Sequence, residues 1–177
     1  MSSRLFYHSP VGLIEIEGSD AGVSHIRFVE DIRETNDHDI SPVLFTCKQQ
    51  LEEYFTGKRT EFTVKLDLSH ATPFYREVWR LVRSIPFGHT RSYSDIAVTI
   101  GRPHASRAVG QANGHNPIPV IIPCHRVLGK NGGLTGYAYG LSIKEALLAL
   151  ENPGRYTRQP TLFYQMAESR QRNHRQV

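Results

Sequence analysis

Residues 123–127 have the sequence Pro-Cys-His-Arg-Val, which places a thiol beside an imidazole and a guanidinium. A thiolate is a nucleophile and a neutral imidazole is a base, so Cys124 and His125 together could attack an electrophilic carbon. Positive charge on His125 and Arg126 would favour the thiolate over the thiol. Glu151, at the end of a predicted helix, is the candidate carboxylate that would orient the imidazole. The segment therefore predicts a reactive cysteine.

These side chains do not fix the reaction. An acyl group on sulfur forms a thioester that water can cleave, whereas an alkyl group forms a thioether that has no good leaving group and stays. A thiol hydrolase and a single-turnover alkyl acceptor are both compatible with Cys124, His125 and Glu151. A cysteine that only packs in the core is a further alternative, because free cysteine behaves as a small apolar residue.

Charge is distributed unevenly along the 177 residues. Residues 1–68 contain 7 Lys/Arg and 12 Asp/Glu, a net charge of −5, whereas residues 69–177 contain 14 and 5, a net charge of +9. The basic part is expected to contact a polyanion, and an incidental surface bias is the alternative explanation.

Cysteine usage and hydropathy narrow the class of protein. Cys47 and Cys124 are the two cysteines, and they lack the Cys-x-x-Cys spacing of zinc ribbons, so we expect no metal and no disulfide framework. No apolar run has the length of a membrane span, and polar Tyr7, His8 and Ser9 interrupt the N-terminal residues, which therefore do not predict a signal peptide. We therefore expect an intracellular protein that is not bound to a membrane.

The first part of the chain predicts a small α/β unit, residues 1–68. Apolar and polar positions alternate over residues 4–30 between turn sequences, which predicts an antiparallel meander. Residues 31–40 are polar and are expected to form a loop. Ser41-Pro42 then starts a predicted helix that ends at Gly57, and alternation over residues 62–68 predicts another strand. The buried face of that helix is predicted to contain Leu44, Cys47, Leu51 and Phe55.

Residues 69–153 predict a second unit, and residues 154–177 a basic tail. Predicted helices over residues 93–100 and 104–113 flank Gly101-Arg102-Pro103, which is the pattern of a helix-turn-helix and also of an ordinary helical hairpin. The apolar, proline-flanked residues 118–123 are expected to be extended and buried. Ser142 and Glu145 predict a capping box on the last helix. Its inner face is predicted to contain Ile143, Ala146, Leu147 and Leu150.

Residues 73–151 resemble the O6-alkylguanine-DNA alkyltransferase family, also called methylated-DNA–protein-cysteine methyltransferases. The resemblance extends from residues 123–127 to further motifs in the same order, namely Ile85-Pro86-Phe87-Gly88, Ser92-Tyr93, Arg107-Ala108-Val109-Gly110, Asn113-Gly114, Asn116-Pro117, Leu134-Thr135-Gly136-Tyr137 and Lys144-Glu145. It implies an α+β fold in which an N-terminal ribonuclease-H-like α/β domain precedes a winged helix-turn-helix domain that binds DNA and carries the active site.

The resemblance also implies an activity, the direct reversal of DNA damage. An alkyl group, mainly methyl, would pass irreversibly from O6-alkylguanine, and also from O4-alkylthymine, to Cys124 in a single turnover. The damaged base must first be flipped out of the duplex, because a buried thiolate cannot reach it in the stack. The implied partner is double-stranded DNA containing O6-alkylguanine. No cofactor or metal is implied, and the protein would be a monomer that can bind side by side on DNA.

Catalytic roles follow from the resemblance for five residues. His125 would act as a base on Cys124 through water, and Glu151 would orient His125. Asn116 would brace the turn that holds the cysteine segment. Tyr93 would contact the flipped guanine and help to protonate the leaving base.

Roles in binding follow in the same way. Arg107 would fill the gap left by the flipped base, and the other DNA contacts would come from Ser92, Tyr93, Ala105, Ala108, Ala112 and Arg126. The substrate pocket would be formed by Val127, Tyr137, Ala138 and Tyr139. Many relatives have glycine at the position of Tyr139, so this side chain is expected to narrow the pocket and favour methyl over larger adducts.

Two alternatives of other classes accompany this hypothesis. One alternative is a non-catalytic protein that binds or senses alkylated DNA, like the relatives that lack the cysteine. The other is a winged-helix regulator, in which Cys124 would be incidental. Localisation would be cytoplasmic and nucleoid-associated in a bacterium, or nuclear in a eukaryote.

Overall fold

The computed structural model describes residues 2–32 and 40–156, and its N-terminal part is a three-stranded antiparallel sheet. The strands β1 (Ser3–Ser9), β2 (Gly12–Ser19) and β3 (Gly22–Val29) pair in chain order. Alternate side chains face the core, so that Ile14, Ile16 and Ile26 are fully buried. The meander predicted from the alternation is confirmed. Most of the loop predicted over residues 31–40 lies outside the described residues.

Helix α1 (Pro42–Phe55) packs against this sheet. Ser41 caps it by accepting a hydrogen bond from the Val43 N–H, and Pro42 occupies the first turn, where no N–H is needed. The predicted residues Leu44, Cys47, Leu51 and Phe55 are all buried, and Gln50 and Tyr54 are buried as well. The local sequence thus determined both the start of α1 and its orientation.

The strand predicted over residues 62–68 is wrong. The segment forms only one isolated bridge, in which the Val23 N–H donates to the Lys65 carbonyl and the Asp67 N–H donates to the Val23 carbonyl. Gln50 of α1 explains the shortened pairing, because its side-chain oxygen accepts from the backbone N–H groups of residues 63 and 64. A side chain therefore replaces the strand that would otherwise satisfy these donors.

The C-terminal part is mainly helical. Its elements are α2 (Pro73–Arg83), β4 (Arg91–Ser92), α3 (Tyr93–Thr99), α4 (Ser106–Gly114), a 3₁₀ turn at Cys124–Arg126, β5 (Val127–Leu128), α5 (Leu141–Glu151) and α6 (Pro153–Tyr156). Helices α2, α3 and α4 pack together, and β4 pairs in parallel with β5. The turn between α3 and α4 passes through Gly101, whose φ of 71° is accessible to glycine at little cost. The two predicted helices on either side of this glycine are confirmed.

A capping box is present, but on a different helix from the predicted one. The Ser92 hydroxyl accepts from the Asp95 N–H, and the Asp95 carboxylate accepts from the Ser92 N–H, at the start of α3. The box predicted for Ser142 and Glu145 is wrong, because α5 begins one residue earlier and its N-cap is Gly140. Ser142 therefore lies inside the first turn rather than at the cap.

The buried face of α5 is broader than predicted. The predicted Leu147 is fully buried, whereas Ile143, Ala146 and Leu150 are only half-buried. The other buried side chains of this helix are Lys144, Leu148, Ala149 and Glu151. Periodicity of apolar residues missed Lys144 and Glu151 because their burial depends on polar partners elsewhere in the fold.

The segment before Cys124 is buried as predicted, but it is a turn and not an extended strand. The Ile122 N–H donates to the Ile118 carbonyl, and Val120 has a φ of 72°. A β-branched residue in this region is strained by about 1–3 kcal/mol. The Asn116 side chain stabilises the turn, because it donates to the Ile122 carbonyl at 2.7 Å and accepts from the Ile118 N–H at 3.0 Å.

One continuous hydrophobic core joins the two parts of the chain, from Ile14 in β2 to Leu147 in α5. The Ile26 N–H of β3 also donates to the Pro117 carbonyl, which links the sheet to the turn before Cys124. In the described residues, no helix is both long and apolar enough to cross a membrane. Several buried charged groups interrupt this core close to Cys124.

Candidate active site

Cys124 lies at the start of the 3₁₀ turn and is 5 % exposed. Two asparagines hold this segment. Asn116 stabilises the turn before it, and the Asn113 side chain donates to the Cys124 carbonyl at 3.3 Å. The sulfur atom lies 3.9 Å from the Tyr137 hydroxyl. The position of the thiol is therefore determined by groups from α4, from the segment that follows α4 and from the loop after β5.

A cavity of about 340 Å³ opens above the sulfur, in the size range of small-molecule sites. Five predicted site residues line it together with Cys124, namely Tyr93, Asn116, Tyr137, Ala138 and Tyr139, and the other lining residues are Gly110, Asn113, Gly114, Thr135 and Gly136. Val127 is not among them, and its carbonyl accepts a hydrogen bond from Lys144. The structure thus brings together most of the predicted pocket.

Glu151 is buried at the end of α5 and contacts His125 as predicted. Its Oε1 lies 2.8 Å from His125 Nε2. Arg126 donates from Nε to Oε2 at 2.8 Å and from Nη2 to Oε1 at 2.9 Å, and the Gly88 N–H donates to Oε2. Against the effect of burial, these partners hold the pKa of Glu151 well below its usual range. The carboxylate is therefore ionised.

The ionised carboxylate determines the tautomer of His125. A carboxylate only accepts, so Nε2 must carry the proton and Nδ1 keeps its lone pair. Burial lowers the pKa of His125, although Glu151 acts in the opposite direction. Within the described part of the chain, Nδ1 has no hydrogen-bond partner. His125 is thus a neutral base with a free acceptor nitrogen.

The prediction that His125 and Arg126 favour the thiolate is wrong. His125 is neutral, and the charge of Arg126 is compensated by Glu151. Burial raises the pKa of the Cys124 thiol, while hydrogen bonds from Asn116 and Tyr137 and the positive charge of Lys144 act in the opposite direction. The resting group is a thiol, so its reaction requires a base.

Lys144 is a residue of this site that the motifs did not assign. Its side chain is fully buried, and Nζ donates to the carbonyls of Val127 at 2.8 Å and Thr135 at 3.0 Å. Burial lowers its pKa to about 8, while the proximity of Cys124 has the opposite effect. A lysine within the apolar helix α5 was the available sequence signal. The side chain connects β5 to the loop that covers the cavity.

Tyr54 is the second residue that sequence reasoning missed. It lies on α1, in the N-terminal part, and its hydroxyl is 2.7 Å from Glu151 Oε1. A tyrosine on the buried face of a helix was the only sequence signal, since a buried hydroxyl needs a partner. Its partner could not be identified from the sequence.

The predicted DNA contacts are divided by the structure. Helix α4 exposes Arg107 and Ala108, and it leaves Ala105 half-buried. Ala112 is fully buried, and its carbonyl accepts from the Trp79 indole N–H at 2.7 Å, so its prediction as a contact is wrong. Ala112 faces the core rather than the solvent, and its small side chain allows α2 to approach α4 closely.

Two further predicted DNA contacts have structural roles. Arg126 is 4 % exposed and donates to Glu151 and to the Ile85 carbonyl, so its prediction as a DNA contact is wrong. The Ser92 hydroxyl caps α3 and is half-buried.

Tyr139 lies between the cavity and the N-terminal sheet. Its hydroxyl donates to the Ile26 carbonyl at 3.3 Å, and its ring packs edge-on against Phe28 with a centroid distance of 5.0 Å. The ring also lies beside Tyr137, at 6.0 Å. These contacts fix the side chain at the wall of the cavity.

Family models match both parts of the chain. Residues 73–153 match the model of the 6-O-methylguanine DNA methyltransferase DNA binding domain, and residues 4–68 match that of the 6-O-methylguanine DNA methyltransferase ribonuclease-like domain.

Individual relatives agree with these matches. A methylated-DNA–protein-cysteine methyltransferase of Mycolicibacterium paratuberculosis is 48% identical over 146 residues, which are 81% of this chain and 88% of the relative. One from Methanosarcina acetivorans is 46% identical over 82% of this chain and 95% of the relative. The crystal structure of Mycobacterium tuberculosis O6-methylguanine methyltransferase is similar with a TM-score of 0.76 and 43% identity, over 92% of this chain and 99% of that one. The M. tuberculosis OGT in complex with DNA is similar with a TM-score of 0.75 and 44% identity, over 84% and 91%.

Proposed function

Because this chain belongs to the 6-O-methylguanine DNA methyltransferase family, we propose that Cys124 is the residue that accepts the alkyl group. The activity is that of a methylated-DNA–protein-cysteine methyltransferase, which repairs O6-alkylguanine in DNA by direct reversal. The observation that carries the residue assignment is the geometry of the thiol. Cys124 lies at a cavity next to His125, and buried Glu151 fixes the imidazole as a neutral base.

The transfer is a displacement at the alkyl carbon. His125 Nδ1 takes the proton of the Cys124 thiol through a water molecule, and the sulfur then attacks the carbon. The sulfur–carbon bond forms while the bond between that carbon and O6 breaks, and the electron pair of the broken bond goes to the guanine. Because the thioether has no good leaving group, each molecule repairs one lesion.

Tyr93 is proposed to assist the leaving base. It lines the cavity with Cys124, where a phenol can donate to the guanine as negative charge develops. Tyr137 and Ala138 line the same cavity, and their backbone N–H groups are proposed as further donors for O6. Val127 is proposed to accept from the guanine amine through its backbone carbonyl, which has a second lone pair beside the one that Lys144 occupies.

Helix α4 is proposed to bind the DNA minor groove. Arg107 and Ala108 are exposed on it, so the arginine can enter the duplex where the damaged base has left. Ala108 and the half-buried Ala105 allow the backbone to approach the sugar–phosphate chain. Gly110 and Gly114 of the same helix line the cavity, so a base that is flipped out beside α4 can enter it near the sulfur.

Tyr139 is proposed to set the preference for small alkyl groups. Its ring is fixed against Phe28 and Tyr137 at the cavity wall, so it cannot easily move away from a bulky adduct. Tyr139→Gly should increase the rate with O6-benzylguanine relative to O6-methylguanine. Equal rates of the wild-type protein with the two substrates would contradict the proposal.

Further properties are part of the same proposal. O4-alkylthymine is a second substrate, no cofactor or metal takes part, and the protein acts as a monomer that can bind side by side on DNA. Since DNA is the substrate and the relatives named above include bacterial and archaeal proteins, we propose that the protein acts in the cytoplasm at the nucleoid.

Intact mass measurement tests the proposed function. The protein is mixed with duplex DNA that contains O6-methylguanine, and a gain of one methyl group per molecule is expected. Cys124→Ser should show no gain, and Cys47→Ser is the matched control that should still react. Multiple turnovers would indicate a hydrolase, and binding without modification would indicate a damage sensor.

A further inference from the structure

Tyr54 is a buried residue of α1 to which the reaction above assigns no role. Its side chain is fully buried, and its hydroxyl contacts Glu151 although 97 residues separate the two in the sequence. Three phenylalanine rings surround it with centroid distances of 5.1, 5.5 and 6.0 Å, namely Phe55, Phe62 and Phe87. A phenylalanine would pack in this environment equally well, so packing explains the ring but not the hydroxyl.

The direction of this hydrogen bond follows from the charges. Glu151 is ionised and only accepts, so the Tyr54 hydroxyl donates to Oε1 at 2.7 Å. The same oxygen accepts from His125 Nε2 at 2.8 Å and from Arg126 Nη2 at 2.9 Å. Each donor draws electron density from this oxygen and reduces what is available to the others. Tyr54 therefore acts on the atom that holds the imidazole.

We propose that Tyr54 is a positioning residue for alkyl transfer, whose hydroxyl fixes the Glu151 carboxylate and moderates its attraction for the His125 proton. The inference rests on the proposed roles of Cys124, His125 and Glu151. It gives the N-terminal part of the chain a function in the reaction, because the catalytic carboxylate is then held from both parts of the molecule.

Three charged groups act on the pKa of His125, and the Tyr54 hydroxyl modifies the effect of one of them, Glu151. Glu151 and Lys144 face it from α5, and Arg126 follows it in the 3₁₀ turn. Tyr54 faces the carboxylate from α1. Removing only the hydroxyl leaves the three charges in place but strengthens the interaction between Glu151 and the imidazolium. The pKa of His125 should then rise, so that less neutral base is present at acid pH.

The rate of methyl transfer from duplex DNA containing O6-methylguanine tests this proposal as a function of pH. Tyr54→Phe should react about threefold to tenfold more slowly near neutral pH. The acid limb of its pH–rate profile should move to higher pH. Leu51→Val, on the same buried face of α1, is the matched control. It removes a methylene group but no hydrogen bond, so its profile should coincide with that of the wild-type protein.

A double-mutant cycle separates an effect through Glu151 from a general loss of structure. In the Glu151→Gln background, Tyr54→Phe should no longer shift the acid limb. Replacement of Tyr54 by 3-fluorotyrosine keeps the hydroxyl and makes it a stronger donor, so the acid limb should move to lower pH. This variant also tests the proposal if Tyr54→Phe does not fold.

Two results would overturn the role of Tyr54. One is a pH–rate profile of Tyr54→Phe or of the fluorotyrosine protein that coincides with the wild-type profile. The other is an equal shift in both backgrounds of the cycle. A wild-type protein that transfers no methyl group would instead refute the function proposed for Cys124, so the two failures are distinguishable.

Discussion

Glu151 connects catalysis and stability at the level of a single residue. Five donor groups reach its carboxylate, and they belong to Tyr54, Gly88, His125 and Arg126. Gly88 has a φ of 75°, and a Cβ atom there would lie 3.1 Å from the Glu151 carbonyl. Glycine therefore allows the chain after α2 to approach α5 closely enough for its N–H to bind the carboxylate. The charges of Glu151 and Arg126 are thus compensated by each other and by the hydrogen bonds from the other donors.

Glu151→Gln should lower the free energy of unfolding near pH 7 by about 3–5 kcal/mol, because Arg126 would remain buried without its counter-charge. Methyl transfer should also slow, since His125 loses the carboxylate that orients it. Urea unfolding and single-turnover kinetics measure the two effects. Glu145→Gln, on the same helix, is the control and should change neither strongly. If the unfolding free energy of Glu151→Gln equals that of the wild-type protein, Glu151 does not compensate the charge of Arg126.

The same variant carries a prediction about pH. The pKa of Glu151 is lowered from 4.5 by folding, so the folded state binds fewer protons than the unfolded state at acid pH. Its stabilising contribution is therefore fully present above about pH 4.5 and is lost as the pH falls below that value. The difference in unfolding free energy between the wild-type protein and Glu151→Gln should shrink in the same range.

Lys144 supplies the positive charge near Cys124 that the adjacent residues do not. Lys144→Met should slow methyl transfer near neutral pH by about tenfold, because the thiolate loses a favourable charge and two carbonyls lose a donor. The pKa of Lys144 is lowered to about 8, so the wild-type side chain loses its charge as the pH rises through that value. The ratio of the wild-type rate to the rate of Lys144→Met should therefore decrease above about pH 8. Lys130→Met is the exposed control, and an unchanged ratio across pH would exclude the electrostatic role.

At the level of elements, α3 packs against α4, and α4 is the helix proposed to contact DNA. The capping box of Ser92 and Asp95 fixes the start of α3, and Val109 of α4 is fully buried beneath the exposed Arg107 and Ala108. Because the buried face is used for packing, only the outer face of α4 is available to DNA.

Arg107→Ala should slow methyl transfer from duplex DNA by about tenfold or more, because it removes the side chain proposed to fill the gap left by the flipped base. The reaction with free O6-benzylguanine needs no base flipping and should keep its rate. Both rates are measured by single-turnover kinetics. Arg80→Ala, an exposed change on α2, is the matched control. An equal loss with both substrates would mean that Arg107 acts on the pocket instead.

At the level of the whole molecule, net charge divides the chain into two parts, whereas the hydrophobic core does not. The net charge is −5 over residues 1–68 and +9 over residues 69–177, whereas the hydrophobic core is continuous between the two parts. The division into residues 1–68, 69–153 and 154–177 stays a prediction, and the tail beyond residue 156 lies outside the described residues. The shared core lets the acidic part stabilise the active site while the basic part meets DNA.

DNA affinity should therefore fall as the salt concentration rises. Phosphate contacts release counterions, so an increase from about 50 to 200 mM salt should weaken binding by at least about tenfold. Fluorescence anisotropy of labelled duplex DNA measures the change. Lys48→Ala, in the acidic part, should leave the salt dependence as it is. An affinity that is indifferent to salt would contradict a role of the basic part.

The amino-acid sequence by itself determined the features that depend on neighbours along the chain. The cap at Ser41, the buried face of α1, the meander and the break at Gly101 follow from local geometry and periodicity. The order of motifs around Cys124 also identified the family, and the match of the family models confirms it.

Only the tertiary structure decided the partners of the buried polar groups. It turned Arg126 from a predicted DNA contact into a hydrogen-bond partner of Glu151, made the segment before Cys124 a turn instead of an extended strand, and brought Tyr54 to the active site. The physical reason is the same in each case. A buried polar group must find a partner wherever the fold provides one, and that partner can lie far away in the sequence.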